Sequence, residues 1–424
     1  MLQLYNFSIF LYTLGIRIAS GWNPKARLWI NGRKNIFPLL EKNFSHVGKK
    51  TIWMHCASLG EFEQGRPLLE AIREAYPNCI ILLTFFSPSG YEIRKNYAGA
   101  DFVFYLPGDS KKNAQRFLKI TQPDLAIFIK YEFWYHYLIQ LKENNIPTLL
   151  VSAIFRNSQP FFKPYGGFWR KMLSCYRFIF VQDQNSLNLL KDIGFEKNAV
   201  ISGDTRFDRV IAIAENEINL PIIKAFCGNQ EVLVAGSTWI EDEEVIDHYA
   251  NNHPEKRFII APHEIHESHI LEVEKLFRHA VRYSTLSAVN NEEKLTGIFA
   301  GKNILIMDNM GMLSKLYYYA TITYVGGGFG GAGIHNILEA AVYGKPVLFG
   351  PVNQKSREAQ ELLELGAAIT IESALELENS LNTLFTDKDK CQALGKLASG
   401  YVYKESGATT KIVQFIQENR LLTN

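Results

Sequence analysis

Three segments of this 424-residue chain put acid–base or phosphate-binding side chains where strand-like runs give way to helical patterns. Ser58-Leu59-Gly60-Glu61 follows the run 51–57 and precedes the helical pattern 64–75. A general base facing a cleft belongs at such a strand end, which makes Glu61 a candidate. Glu61 and Glu63 also suit the positive end of a helix dipole, which would keep Glu61 ionised but weaken it as a base. The residue types leave both readings open. Lys130-Tyr131-Glu132-Phe133-Trp134-Tyr135 follows the run 125–129. An acid flanked by aromatic rings can bind sugar hydroxyls or the apolar rim of a lipid. Taken alone, Glu132 reads more simply as a solvent-facing acid beside an aromatic core. Gly203-Asp204-Thr205-Arg206-Phe207-Asp208 follows the run 199–202. Arg206 carries the planar donor fork that suits a phosphate, unless Asp204 or Asp208 claims it and makes the motif structural.

The stretch 320–361 carries a different chemistry. A β-rich run, 322–325, leads into Gly326, Gly327, Gly328, Gly330 and Gly331. Gly333, His335 and Asn336 follow, then the helical pattern Ile337-Leu338-Glu339-Ala340-Ala341-Val342 and a second buried run, 346–349. Glycines between a strand and a helix let the backbone approach a ligand. Free N–H groups at the helix start then favour an anion, usually a phosphate. Gly326, Gly328 and Gly331 also fit the dinucleotide fingerprint, but the acid expected about 20 positions on is missing. That place holds Gly350-Pro351-Val352-Asn353. A nucleotide-phosphate site is the stronger reading against a tight turn that binds nothing. Ala235-Gly236-Ser237-Thr238, Pro262-His263-Glu264 and Gly311-Met312-Leu313 are further turn segments that can face the same ligand, His263 through its ring and Gly311-Met312-Leu313 through backbone N–H groups.

The elements that position these groups alternate regularly. Strand-like runs at 51–57, 80–85, 102–105, 125–129, 148–152, 178–182 and 199–202 are separated mostly by helical patterns. A second series has strands at 232–236, 257–262, 296–299, 304–307, 322–325, 346–349 and 368–371. Such alternation implies parallel, doubly wound sheets, whose ligands sit at the carboxyl ends of the strands. The mixed stretch 212–229, with Pro221 and Gly228, separates the two series. The expected organisation is a membrane anchor segment at 1–20 and an N-terminal Rossmann-like domain at 21–211. A linker at 212–229, a C-terminal Rossmann-like domain at 230–408 and a last helix at 409–424, packing back on the N-terminal domain, complete it.

Composition excludes several classes. The chain is 47% hydrophobic and 21% charged with a net charge of +2, a globular profile without the polycation that nucleic acid calls for. The five cysteines are scattered and form no C-x-x-C pair, so neither a zinc site nor a disulfide framework is indicated. No H-E-x-x-H, G-x-S-x-G or Walker lysine is present. The first charge is Arg17, after an apolar, aromatic-rich start; residues 17–50 then hold eight Lys or Arg and one acid, Glu41, with Trp22 and Trp29 among them. Aromatics and cations beside an apolar segment suit a membrane interface with anionic lipid. The cation bias places the body of the protein on the cytoplasmic side, and spanning or lying flat stays open.

In combination and in this order, Ser58-Leu59-Gly60-Glu61, Tyr131-Glu132-Phe133-Trp134, Gly203 to Asp208, Ala235-Gly236-Ser237-Thr238 and Val325 to Glu339 resemble the 3-deoxy-D-manno-octulosonic acid (Kdo) transferases of lipopolysaccharide synthesis. The resemblance implies an α/β GT-B glycosyltransferase with two Rossmann-like domains facing a cleft, the acceptor on the first and the donor on the second. It implies CMP-Kdo as donor, a lipid A precursor as acceptor and the cytoplasmic face of the inner membrane as location. It puts Glu61 in the general-base position and Glu132 and Arg206 in positions that stabilise the transition state. Pro262, His263, Gly311, Met312, Leu313, Asn336, Ile337, Leu338 and Glu339 fall on segments that hold CMP. The family often has lysine at Arg206, arginine at His263, proline at Ile337 and glutamate at Met312, so Met312 contributes only backbone here. No cofactor or metal is called for. A UDP-sugar transferase or epimerase of the same fold, and a membrane-tethered nucleotide-binding protein without catalysis, are the alternatives.

Overall fold

The computed structural model describes residues 1–44, 48–286, 292–331 and 333–422. Residues 423–424, the end of the expected last segment, lie outside the described residues. The chain divides into two compact units. The first comprises Met1–Arg209 and Ser406–Asn424, the second Val210–Glu405.

The first unit is built on seven parallel strands: β1 Thr51–Cys56, β2 Ile80–Phe85, β3 Phe102–Tyr105, β4 Leu125–Ile129, β5 Thr148–Ala153, β6 Phe178–Val181 and β7 Ala199–Ile201. They lie in the order β3-β2-β1-β4-β5-β6-β7. Helices cover both faces, so the central strands read as unbroken apolar runs; Leu125, Ala126, Ile127, Phe128 and Ile129 are all buried. Each large side chain among them, fully buried, stabilises the fold by about 1.5–3 kcal/mol. The direction of strand succession reverses between β1 and β4, which pair directly, Met54 beside Ile127. The reversal opens a crevice at the carboxyl ends of these two strands. Glu61 follows one strand and Glu132 the other.

The second unit has its own seven parallel strands: β8 Val232–Thr238, β9 Arg257–Pro262, β10 Ala280–Arg282, β11 Ile304–Ile306, β12 Ile322–Val325, β13 Val347–Phe349 and β14 Ala368–Thr370. Their order is β10-β11-β9-β8-β12-β13-β14. The switch point falls between β8 and β12, and the register sets Gly236 beside Val325. The hydroxyl-rich segment after β8 and the glycine run after β12 therefore leave the sheet side by side.

Some expectations fail for local reasons. Residues 296–299, read as a strand, end the helix Glu292–Phe299. Leu295 and Phe299, one turn apart, are buried, and Phe299 packs edge-on against Phe226 at 5.2 Å. A short run of this composition fits either period. The edge strand β10 has only half-buried residues and carries no apolar signature. The stretch 212–229 contains the helix Pro221–Cys227, whose Ile223, Phe226 and Cys227 are buried, so it is not an open linker. The final helix, Ala408–Glu418, is part of the first unit. Ile412 and Ile416 join the core with Ile52 and Phe180, and Phe415 packs on Phe178 at 4.4 Å. Asp208 accepts the N–H groups of Gly407 at 2.6 Å and Thr409 at 2.7 Å, fixing the start of that helix.

Candidate active site

At the first switch point, Ser58 caps the helix Leu59–Ala75 and Glu61 is its third residue. The Glu61 side chain turns back, and its Oε2 accepts the N–H groups of Ala57 and Ser58. This capping box orients the carboxylate and satisfies two amide donors of the helix start. The helix-dipole reading of Glu61 is thus real, but it is not the whole of its electrostatics. Burial, and then the negative charge of Glu132, push the Glu61 pKa up to about 7, against the opposing pull of the two amides and Lys130. A carboxyl poised near neutrality can accept a proton at physiological pH.

Glu132 is buried, at 4% exposure, which overturns its reading as a solvent-facing acid. Its Oε2 receives the Trp134 indole N–H and lies 2.9 Å from His55 Nε2. The Tyr176 hydroxyl donates to its backbone carbonyl. Lys130, just before it, has a left-handed backbone with φ of 70°, a conformation that costs a residue with a Cβ energy and collects at functional strand ends. Burying a carboxylate beside a second one is expensive unless both are held by donors, and this pair is held.

Arg206 is the second residue of the helix Thr205–Ala214. Its guanidinium meets Asp204 Oδ2 at 2.8 Å, and Asp204 also accepts the Arg206 N–H and the Gln64 side-chain amide. Asp204 is buried while Arg206 stays about one-third exposed. Asp204 therefore aims the guanidinium without enclosing it. The Tyr131 hydroxyl lies in the combined field of Arg156, Glu61, Asp183 and Arg206, so Glu61 and Arg206 are brought to one neighbourhood.

At the second switch point, Asp242 organises the loops. It is fully buried, and its two oxygens accept the N–H groups of Trp239 and Gly327 and the Tyr324 hydroxyl. The glycines then divide by role. A Cβ on Gly326 would lie 2.4 Å from the Ser237 carbonyl oxygen, and one on Gly328 would lie 2.5 Å from the Gly350 backbone. Gly327 has φ of 91° and its N–H is taken by Asp242. These three serve close backbone packing. Gly330 and Gly331 have no such crowding. The expected helix from Ile337 is a single turn, Leu338–Ala341, so it offers little macrodipole. Asn336 donates to Glu339 at 2.9 Å and accepts the Leu338 N–H.

Pro262 ends β9 and is buried, and the His263 N–H donates to the Thr238 carbonyl at 2.9 Å. The His263 ring, on an exposed residue, stacks on Trp239 at 4.9 Å and on His335 at 4.3 Å. Trp239 Nε1 donates to His335 Nε2 at 3.1 Å. Burial, and then His263, push the His335 pKa down to about 4, so this ring is neutral at physiological pH and carries its proton on Nδ1. Gly311, with φ of 88°, turns the chain into Met312, which precedes the one-turn helix Leu313–Leu316. Leu313 and Tyr317 crowd the place where a Cβ of Gly236 would stand, which sets this turn against the end of β8. Glu339 contributes to the field at the Tyr317 and Tyr343 hydroxyls. His55, Trp239, Asp242 and His335 are site residues to which the strand-end motifs assign no role. A histidine inside a fully buried strand, and an acid a few residues past a strand end, were the available signals.

Two parallel-sheet units, each with its polar groups gathered at the switch point, define a protein of the GT-B class. Among solved structures, UDP-GlcNAc 2-epimerase from Neisseria meningitidis bound to UDP-GlcNAc shares this fold with a TM-score of 0.62, at 15% identity over 87% of this chain and 100% of that one. The family model described as 3-deoxy-D-manno-octulosonic-acid transferase (kdotransferase) matches residues 32–209. A 3-deoxy-D-manno-octulosonic acid transferase of Rickettsia prowazekii is 28% identical, covering 81% of this chain and 73% of the relative. A bifunctional glycosyltransferase/methyltransferase of Fusobacterium nucleatum is 26% identical over 94% of this chain, and the chain spans 59% of that relative's length. Over residues 32–209 by the family model, and over most of its length by these relatives, the chain is similar to the Kdo transferases.

Proposed function

We propose that this protein transfers Kdo from CMP-Kdo to a lipid A precursor, with Glu61 as general base. The observation that carries the reading is the paired carboxylates Glu61 and Glu132 at the first switch point, with Glu61 pushed up to about 7, in a chain similar to the Kdo transferases. Glu61 takes the proton from an acceptor sugar hydroxyl as that oxygen attacks the anomeric carbon of Kdo. The bond from that carbon to the CMP phosphate breaks, and CMP leaves as an anion. Arg206, aimed by Asp204, stabilises the charge growing on the phosphate. Glu132 stabilises the positive character that develops at the sugar. Pro262, His263, Gly311, Met312, Leu313, Asn336, Ile337 and Leu338 hold the CMP moiety, Glu339 accepts from the ribose hydroxyls, and Gly330 and Gly331 offer backbone to the phosphate. The scheme calls on no metal.

The N-terminal helix supports attachment to the cytoplasmic face of the inner membrane. Among the described residues no helix is long and apolar enough to cross a membrane. A helix with one apolar face outward and cations next to it suits the interface plane. The deciding experiment is a mass-spectrometric transfer assay with detergent-solubilised protein, a CMP-Kdo-generating system and a tetraacylated lipid A precursor. A mass gain of one or more Kdo units, absent for Glu61→Ala, supports the reading. Absence of any gain, with CMP bound, moves the question to other lipid acceptors; a folded protein that binds no CMP overturns it.

A further inference from the structure

His55 is a buried titratable side chain at the first switch point that the proposed chemistry does not use. It stands in β1, at 0% exposure. Its Nδ1 lies 2.8 Å from the Thr84 hydroxyl and 3.1 Å from the Thr84 carbonyl oxygen. Its Nε2 lies 2.9 Å from Glu132 Oε2 without the alignment of a directed hydrogen bond. Catalytic contacts are often loose in this way before the ligand arrives. Trp53, two residues earlier on the same face of β1, donates its indole N–H to the Thr84 hydroxyl at 2.8 Å.

The proton inventory of this chain is constrained. An indole N–H only donates, so the Thr84 hydroxyl oxygen accepts from Trp53 and its own proton is free to go to a bare His55 Nδ1, whereas a protonated Nδ1 would donate to the Thr84 carbonyl oxygen; the carboxylate beside Nε2 decides between the two. The neutral imidazole then carries its proton on Nε2, facing the carboxylate. The imidazolium form also places a proton there. The remaining form, protonated on Nδ1 alone, would set a nitrogen lone pair 2.9 Å from a carboxylate oxygen, buried in a low-dielectric site where such opposition is costly.

We propose that His55 is a positioning residue for the transfer reaction, holding the Glu132 carboxylate oriented through Nε2–H, with its ring held from the other side by Thr84. The proposal rests on the reading of Glu61 and Glu132 as the reacting carboxylates. Its consequence reaches Glu61, because the Glu132 charge is the second cause, after burial, of the raised Glu61 pKa. The titratable and charged groups facing Glu61 are Glu132, Lys130, Cys56 and Tyr131; those facing Glu132 are Glu61, His55, Cys56, Tyr5 and Tyr176, with the Trp134 indole as a neutral donor.

The first test needs no turnover. Long-range proton–nitrogen NMR of histidine-labelled full-length protein reports which ring nitrogen carries the proton. Nε2 protonated in the wild type, with a spectrum that changes in Glu132→Gln, is the expected result. A neutral ring protonated only on Nδ1 overturns the proposal, whatever the enzyme transfers. The second test compares His55→Gln, which keeps a donor near the Nε2 position, with His55→Phe, which keeps none. His55→Phe should lose about 10- to 100-fold in kcat, with KM for CMP-Kdo little changed, and its acid limb should move to lower pH. His55→Gln should recover much of the rate. Thr84→Val, with its smaller disturbance of shape, serves if His55→Phe does not fold; it should shift the acid limb in the same direction. An unmoved acid limb in folded His55→Phe or Thr84→Val assigns His55 a packing role and overturns the proposal.

Discussion

Asp242 accepts the backbone N–H of Gly327 at 2.8 Å, so the glycine run after β12 is held by a side chain from the helix after β8. The same carboxylate accepts from Trp239 at 2.9 Å and from the Tyr324 hydroxyl at 2.8 Å. Asp242→Asn keeps the shape but turns one acceptor oxygen into an amide donor. At least one of these buried donors then loses its partner, at about 1–3 kcal/mol. Thermal unfolding should show the loss directly. CMP affinity, measured by calorimetry, should fall as well, because the loop that offers Gly330 and Gly331 is no longer fixed.

The division of the glycines makes a paired prediction. Gly328→Ala forces a Cβ to within 2.5 Å of the Gly350 backbone, and backbone on both sides cannot swing away. It should destabilise the protein by about 1–3 kcal/mol, the usual cost of overpacking. Gly331→Ala meets nothing within 4 Å and should leave the melting temperature unchanged. If Gly331 lies against the donor phosphate, the added methyl group should weaken CMP binding all the same. A Gly331→Ala protein with normal stability and normal CMP affinity would sink its phosphate role.

What could be read from the sequence follows from what each residue's environment writes into it. Strands buried on both faces become continuous apolar runs, so Leu125–Ile129 and Ile322–Val325 were legible to the residue. The placement of Glu61 and Arg206 just past strand ends was legible, because the turns there are rich in small residues. The depth of Glu132 was not, since burial of an acid depends on groups from distant parts of the chain: His55 lies against its carboxylate and the Tyr176 hydroxyl donates to its backbone carbonyl. The glycine run announced close approach of backbone, but a ligand and the neighbouring Ser237 and Gly350 backbone demand the same residue. Only the positions of β8 and β13 separate the two causes.

Glu61 predicts a pH dependence with a definite sign. Its carboxyl holds a proton up to about pH 7, so a reaction that uses it as base should speed up as pH rises through about 7. Glu132→Gln removes the neighbouring negative charge, the second cause of that elevation, and should move the rise to lower pH while lowering kcat. Glu61→Ala should cost about 10²- to 10⁴-fold, the ordinary contribution of a general base. The folded protein holds this proton more tightly than the unfolded chain, whose glutamates titrate at about 4.3. The stability this contributes is therefore full below that pH and is lost as pH climbs through about 7. Glu61→Gln should flatten that part of the stability profile. A wild-type kcat that stays level across neutral pH, in a buffer series where chemistry limits the rate, would remove Glu61 from the role of base.

The N-terminal helix Leu2–Ala19 predicts how the protein meets a membrane. Tyr5 donates to the buried Asp109, whose oxygens also accept the N–H groups of His136 and Tyr137, and Asn6 contacts His136 at 2.7 Å. Tyr12 stacks on Phe86. These contacts fix one side of the helix to the first unit, while Leu4, Phe7, Phe10, Leu11, Leu14 and Ile18 are exposed. At 18 residues the helix is about 27 Å long, and pulling it through a bilayer would break the Tyr5–Asp109 contact. Lying in the interface keeps that contact and buries the outward face. The full-length protein should therefore float with vesicles containing anionic lipid, more weakly as salt rises, because nearby cations add attraction that ions screen. Phe7→Asp with Phe10→Asp should abolish flotation while leaving CMP binding intact, since exposed positions cost little stability when changed. Tyr5→Phe keeps the apolar face but removes the hydroxyl donor, so it should bind vesicles normally and lower stability by about 1 kcal/mol or more. Undiminished flotation of the double aspartate variant would assign membrane contact to another surface.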